Sequence, residues 1–201
     1  EDPGLIEIRR GESGIRAWAA EPGEYYHSFD GSYGGLWRRN GRPPQLLAGV
    51  GFSAQGKFEG SYYRRTAESR APDLAWMFEG IEDQEILGDF GFSGGGAAGF
   101  ELDRADVRLG TPEEVRVVAS SENHTSSFVL VPEEMLTHIT NWPGEEEQQK
   151  LIRSDIVYFQ TPSGGEVFST GSITFCGSLP WNDFDNNISR LLENVIRRFL
   201  Q

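Results

Sequence analysis

DIVYFQTPSGGEVFSTGSITF, residues 155–175, reads as two strands joined by a tight turn. The limb Asp155–Thr161 holds the apolar run Ile156–Phe159, and the limb Glu166–Phe175 is rich in β-branched and aromatic residues. Between them Pro162-Ser163-Gly164-Gly165 has the backbone freedom that a hairpin reversal needs. In the following stretch, Asn182–Leu200, the residues Ile188, Leu191, Leu192, Val195, Ile196, Phe199 and Leu200 fall on one helical stripe. Asn182 or Asp183 can cap its start, Asp185 suits the positive end of the helix dipole, and Arg197 and Arg198 suit the negative end. An amphipathic helix docked on a sheet is the expectation.

Upstream, Leu5–Arg10 alternates apolar and charged side chains, and Ile15–Ala20 follows the Gly11–Gly14 turn, so each reads as a short strand. Glu21–Gln45 carries three tyrosines, His27, Trp37 and three arginines among five glycines. It is too aromatic for a solvated linker and too glycine-rich for a helix, and reads as an ordered loop for assembly or a site. The run Gln45–Phe52 ends in glycines, and Ser61–Pro72 reads as a polar loop or short helix. Ala75–Ile81 and Glu85–Phe90 bracket an acidic turn and are expected to form a hairpin or two strands. Further strands are expected at Phe100–Asp103, Val115–Ser120 and Phe128–Val131. Pro132–Trp142 reads as a helix and Gly144–Arg153 as an acidic turn or short helix. The sum is a single α/β or α+β domain over residues 1–201, with a glycine-rich, β-rich region at 1–60 and a core at 61–201.

The chain has 201 residues and a formal net charge of −13. That balance argues against nucleic acid and anionic membrane, whose phosphates demand a basic face. Of the 18 basic residues only Lys57 and Lys150 are lysine. Arginine pairs with carboxylates through a planar fork and tolerates burial, so salt bridges inside the fold or across a subunit interface are expected. No apolar run approaches the roughly 18 residues of a membrane span. Cys176 is the one cysteine, so no internal disulfide forms and a reducing, cytoplasmic setting is allowed. In the apolar run Ile173–Cys176 it reads as a small core hydrophobe. The chain opens Glu1-Asp2-Pro3-Gly4 without methionine, and the expectation is a piece of a longer polypeptide.

Ser120-Ser121-Glu122-Asn123-His124 follows a buried strand, where α/β folds place ligands. Glu122 and His124 are close enough in a loop for a carboxylate to orient or charge an imidazole, the partnership of general bases and of shells around metals. A polar turn with a hydrogen-bonded histidine fits the same residues. His27, beside Tyr25, Tyr26 and Asp30, is a second site candidate or a structural histidine; His138 reads as an ordinary helix residue. Gly94-Gly95-Gly96 lacks the Lys-Ser/Thr of a phosphate-binding loop and reads as a close packing contact. No serine-nucleophile elbow, His-Glu-x-x-His or paired Cys-x-x-Cys is present.

Five stretches together carry a family resemblance: LIEIRR; EPGEYYHSFDGSYGGLWRRNGRPPQLLAGVGFSAQG; GDFGFSGGGAAGFELDRAD with LGTP; ASSENH; and SDIVYFQTPSGGEVFSTGSI running on to DNNISRLLENVIRRFL. The chain resembles the C-terminal region of the large (beta) subunit of N,N-dimethylformamidase. The resemblance implies a class I glutamine amidotransferase-like three-layer α/β fold with β insertions. It implies hydrolysis of a small linear amide, dimethylformamide to formate and dimethylamine. The implied cofactor is a mononuclear Fe(III) held by two tyrosinates and a glutamate, with a histidine nearby. The ligand tyrosines are expected upstream of this region, which leaves Glu1, on position alone, as the metal candidate here. The implied partners are the remainder of the large subunit, a small subunit and further copies in an oligomer. A non-catalytic amidotransferase-like domain for assembly or small-ligand binding is the alternative.

Overall fold

A fifteen-residue strand, β1 (Gly51–Arg65), organises the fold. It follows a short helix, α1 (Pro44–Ala48), which ends at Gly49 with φ 77°. The structure is a computed structural model that describes residues 41–131 and 144–201. β2 (Ala98–Arg104) runs along one side of β1; β3 (Arg116–Glu122) and the two-residue β4 (Val129–Leu130) share the other. β5 (Asp155–Gln160) and β6 (Glu166–Ser169) complete the order β2-β1-β3-β5-β6, with every pair antiparallel. The chain leaving β6 then returns to β2: Leu102 bridges Ser172, and the Asp103 N–H donates to the Gly171 carbonyl at 2.7 Å. The sheet therefore curls into a half-barrel.

This architecture corrects the expected three-layer, amidotransferase-like α/β fold. Parallel layers need crossovers of about a dozen residues or more, usually helical. Among the described residues the helices are α1, α2 (Glu145–Leu151), α3 (Phe175–Ser178) and α4 (Asn187–Phe199). Only α4 has that length, and it follows the last strand.

The main core lies where α4 and a 3₁₀ segment, Pro72–Phe78, cover one face of the sheet. Leu74, Met77 and Phe78 from the 3₁₀ segment meet Ile188, Leu191 and Val195 of α4 over Tyr63, Val118 and Ile156. Side-chain amides lock this contact. Asn194 donates to the Met77 and Glu79 carbonyls at 3.0 and 2.9 Å, and Asn187 accepts from the Gly88 N–H at 3.1 Å.

Several local expectations are corrected. Ser61–Arg65 is strand rather than loop, because its polar side chains alternate with the buried Tyr63. Ala75–Phe78 is 3₁₀ rather than strand, started by Pro72. Cys176 is exposed in α3, since the hairpin's second limb ends at Ser169. The cap of α4 is Asn186, whose side chain accepts from the Ser189 N–H at 2.9 Å, not Asn182 or Asp183. Only the Ile188, Leu191 and Val195 edge of its stripe is fully buried; Ile196, Phe199 and Leu200 are exposed. The strands at Leu5–Arg10 and Ile15–Ala20, most of the Glu21–Gln45 loop and the helix at Pro132–Trp142 lie outside the described residues.

The glycine triplet is the close packing contact its composition implies. A Cβ on Gly60 would fall on the Gly96 carbonyl oxygen, and one on Gly99 on that of Glu59. β1 and the 94–99 segment approach backbone to backbone, which any side chain prevents. Gly99→Ala is therefore expected to destabilise the protein by at least about 1–3 kcal/mol through overpacking. A lower urea midpoint with an unchanged slope is the expected reading, and an unshifted midpoint refutes the contact.

Candidate functional site

β3 and β4 are one strand interrupted. Moving seven residues along β1 from Tyr62 to Gln55 moves seven along the opposite edge, from Glu122 to Val129, with the register kept. Residues 123–128 are an excursion opposite 56–61. On its other side β1 slips as well, passing from Gln55 to Gly60 while β2 passes only from Glu101 to Gly99. The middle of β1 thus leaves both ladders, and its N–H groups turn elsewhere: Lys57 N–H donates to Ser127 Oγ at 3.4 Å and Gly60 N–H to the Gly94 carbonyl at 2.7 Å. Glu59 accepts from Thr125 and Ser127, which holds its carboxyl below the usual range. Asn123 turns the chain inward with φ 63°, and Phe128 seats its ring over Gly56, where a Cβ would not fit.

That inward turn delivers His124. Its Nε2 lies 2.6 Å from Ser121 Oγ, and its ring meets Phe128 at 4.8 Å. Ser121 Oγ also accepts from the Ser154 N–H at 2.7 Å, which ties the His124 ring to the start of β5. Nδ1 is buried with no hydrogen-bond partner among the described residues. Burial, only partly opposed by the charge of Glu59, lowers the His124 pKa to about 4 and keeps the ring neutral.

A polar seam runs on from this pair through the half-barrel. Tyr63 Oη is 2.9 Å from Ser154 Oγ and donates to the Thr170 carbonyl at 2.7 Å. Burial pushes the Tyr63 phenol well above its ordinary value. The fully buried Asp155 accepts from Ser120 Oγ at 2.6 Å, Arg153 Nε at 3.0 Å and the Ala105 N–H at 3.0 Å. Asp106 takes both the buried Arg104, at 2.7 Å, and Arg108, at 2.9 Å; although burial opposes it, these bonds bring its carboxyl down to about 2. Asp103, on the other face of β2, behaves oppositely: burial first, and Glu101 second, raise it to about 6.

Glu122 and His124 take separate partners. Strand alternation turns Ser121 inward and Glu122 outward, where its carboxylate pairs with a similarly half-exposed Arg64. Such an exposed pair contributes little to stability. His27 and Glu1 lie outside the described residues. Among the described residues no three His, Cys, Asp or Glu side chains gather to hold a metal. Sequence reasoning missed Tyr63 and Asp103, and singled out Ser121 within its motif without giving it a role. Only Asp103 left a signal, since Glu101 and Asp103 two apart in a strand share a face.

The two perturbed groups oppose each other in pH. Asp103 has a folded pKa of about 6 against an ordinary 3.8, so its contribution to stability falls as pH rises between those values. His124 has a folded pKa of about 4 against 6.5, so the unfolded chain binds more protons and stability rises with pH across that window. Asp103→Asn is expected to steepen the rise of stability with pH, and His124→Gln to replace it with a fall. Urea midpoints taken across this range test both, and wild-type profiles in the two variants refute the assignments. Separately, Tyr63→Phe is expected to cost about 1–3 kcal/mol by leaving the Thr170 carbonyl only the long contact from Ser154 Oγ at 3.5 Å, read as a lower thermal midpoint.

Among the described residues, no helix is long and apolar enough to cross a membrane. A family profile described as N,N-dimethylformamidase beta subunit-like, C-terminal, matches residues 1–187. The chain is 40% identical over all 201 residues to the N,N-dimethylformamidase beta subunit of an Alcaligenes species, and equally to that of Paracoccus aminophilus. In each case it covers 26% of the relative, so it spans about a quarter of the length of these curated proteins. With a match of this extent over a half-barrel and its polar seam, the chain belongs to the N,N-dimethylformamidase beta subunit-like C-terminal family.

Proposed function

We propose that this chain is the C-terminal part of an iron-dependent amidohydrolase subunit that cleaves small linear amides, dimethylformamide to formate and dimethylamine. The observation that carries this reading is the 40% identity sustained over all 201 residues to subunits named for that activity. In the proposal the chain supplies pocket wall and oligomer contacts, the latter through the Tyr25–Arg42 loop toward a small subunit or a second copy. The Fe(III) is assigned to polypeptide outside the described residues, together with Glu1 as its metal candidate in this chain.

Amide hydrolysis adds a water oxygen to the carbonyl carbon, breaks the C–N bond and delivers a proton to the departing amine. Groups whose pKa lies near the working pH carry such protons best. Asp103, at about 6, is suited to exchange one near neutrality, whereas burial disfavours a proton on His124 and suits its neutral ring to orienting a reactant or water. Glu122, paired with Arg64 at the end of β3, and His27 complete the set of proposed site residues.

The test is turnover by the full-length subunit assembled with its partner. Asp103→Asn and His124→Gln are each expected to lower kcat/KM for dimethylformamide by about 100-fold, with Asp103→Asn also removing a pH–rate limb near 6. Wild-type turnover in both variants would reduce this chain to an assembly domain. Near-stoichiometric iron is expected in the same preparation, and an iron-free but active enzyme overturns the metal assignment.

A further inference from the structure

Between α3 and α4 the chain makes a turn whose conformation the fold does not explain. Asn182, Asp183 and Phe184 take φ values of 49°, 52° and 67° in succession. Asn and Asp tolerate the left-handed region, but a bulky side chain there is a true outlier. Packing does not offset the strain, because Phe184 is 64% exposed. Yet the turn is held firmly. Asn186 Nδ2 donates to the Leu179 and Trp181 carbonyls at 3.0 and 2.7 Å, while its Oδ1 caps α4. Asn182 Nδ2 donates to the Asp185 carbonyl at 3.0 Å, and the Asp185 N–H returns to the Asn182 carbonyl at 2.9 Å. Backbone strain kept in a rigid frame is characteristic of segments that bind something.

The neighbouring surface has matching chemistry. Trp181 stacks on Phe90 at 5.9 Å and meets Phe92 at 5.3 Å, and Phe92 is 70% exposed. Asp89, Asp183 and Asp185, in the same two segments, are exposed and make no ion pair among the described residues. Where arginines are at hand the fold pairs them with carboxylates, as Asp83 with Arg70 and Glu166 with Arg198.

We propose that Phe92, Trp181 and Phe184, with Asp89, Asp183 and Asp185, form a docking surface for an arginine-bearing face of the small partner subunit, a second copy of this chain, itself at net charge −13, being a poor electrostatic match. A guanidinium stacks on an aromatic ring and pairs with a carboxylate at once, which an ammonium does less well. The fold already uses this combination: Arg198 lies 5.7 Å from the Trp76 ring while bonded to Glu166. The proposal rests on the reading of this chain as part of one subunit of a multi-subunit enzyme.

Hydroxyl-radical footprinting of the full-length subunit, alone and assembled with its partner subunit, tests it. Oxidation of Trp181 and Phe184 is expected to fall several-fold on assembly. The double variant Asp183→Lys, Asp185→Lys, at positions exposed and free of ion pairs, is expected to weaken association in sedimentation by about tenfold or more. Equal oxidation in both states overturns the proposal, as does wild-type association of the variant. Protection already complete in the lone full-length subunit also overturns it, since the subunit's own chain then covers the patch. An assembly that cleaves amide yet leaves both rings exposed refutes this surface and leaves the proposed function standing.

Discussion

A curled sheet must be tied across its opening, and Tyr63 makes that tie. Its backbone pairs with Ser121 on one side and with Leu87 on the other. Its ring lies in the main core, and its hydroxyl reaches Ser154 and the carbonyl of Thr170. Thr170 begins the segment that bridges back to β2 through Ser172. One fully buried side chain therefore joins β1, β5 and the closing segment. The cost of burying its phenol is met by two hydrogen bonds rather than left open.

The functional chemistry concentrates where regular pairing is lost. A residue in a continuous ladder has its backbone groups satisfied and its side chain assigned to one face. Where β1 leaves both neighbours, Glu59 accepts from Ser127 and Thr125 of the opposite edge, and the excursion can turn His124 inward against Ser121. Position, more than residue type, produces the altered acidities. Asp103 and Asp106 are three residues apart, yet one is raised to about 6 and the other lowered to about 2. The difference is the two arginines on Asp106 and only a second carboxylate near Asp103. Arginine-rich composition thus appears in the fold as local control of carboxylates, consistent with a fork that binds them in two places.

Much of the element content was legible in the sequence. The hairpin limb at Asp155, the strands around Phe100 and Val115, the acidic helix after Gly144 and the terminal helix announce themselves through periodicity, turn residues and dipole-matched charge. The Ser61–Arg65 strand was not legible, because its polar outer face hides the alternation. The 3₁₀ segment at Pro72 was not either, since a short apolar run has no period to separate strand from helix. Capping by Asn186 instead of Asn182 depends on the left-handed turn before it, which local pattern does not reveal.

By itself, the sequence determined family membership, since 40% identity over every residue is a property of the string alone. It also determined which segments are strands and helices wherever their periodicity is strong. Sheet direction was decided only in three dimensions, and the amidotransferase-like expectation failed there. Periodicity records which side of a strand is buried but not which strand lies beside it, nor which way that neighbour runs. The same limit applies to the site: spacing placed Glu122 next to His124 in the chain, whereas alternation and a left-handed Asn123 sent one outward to Arg64 and the other inward to Ser121.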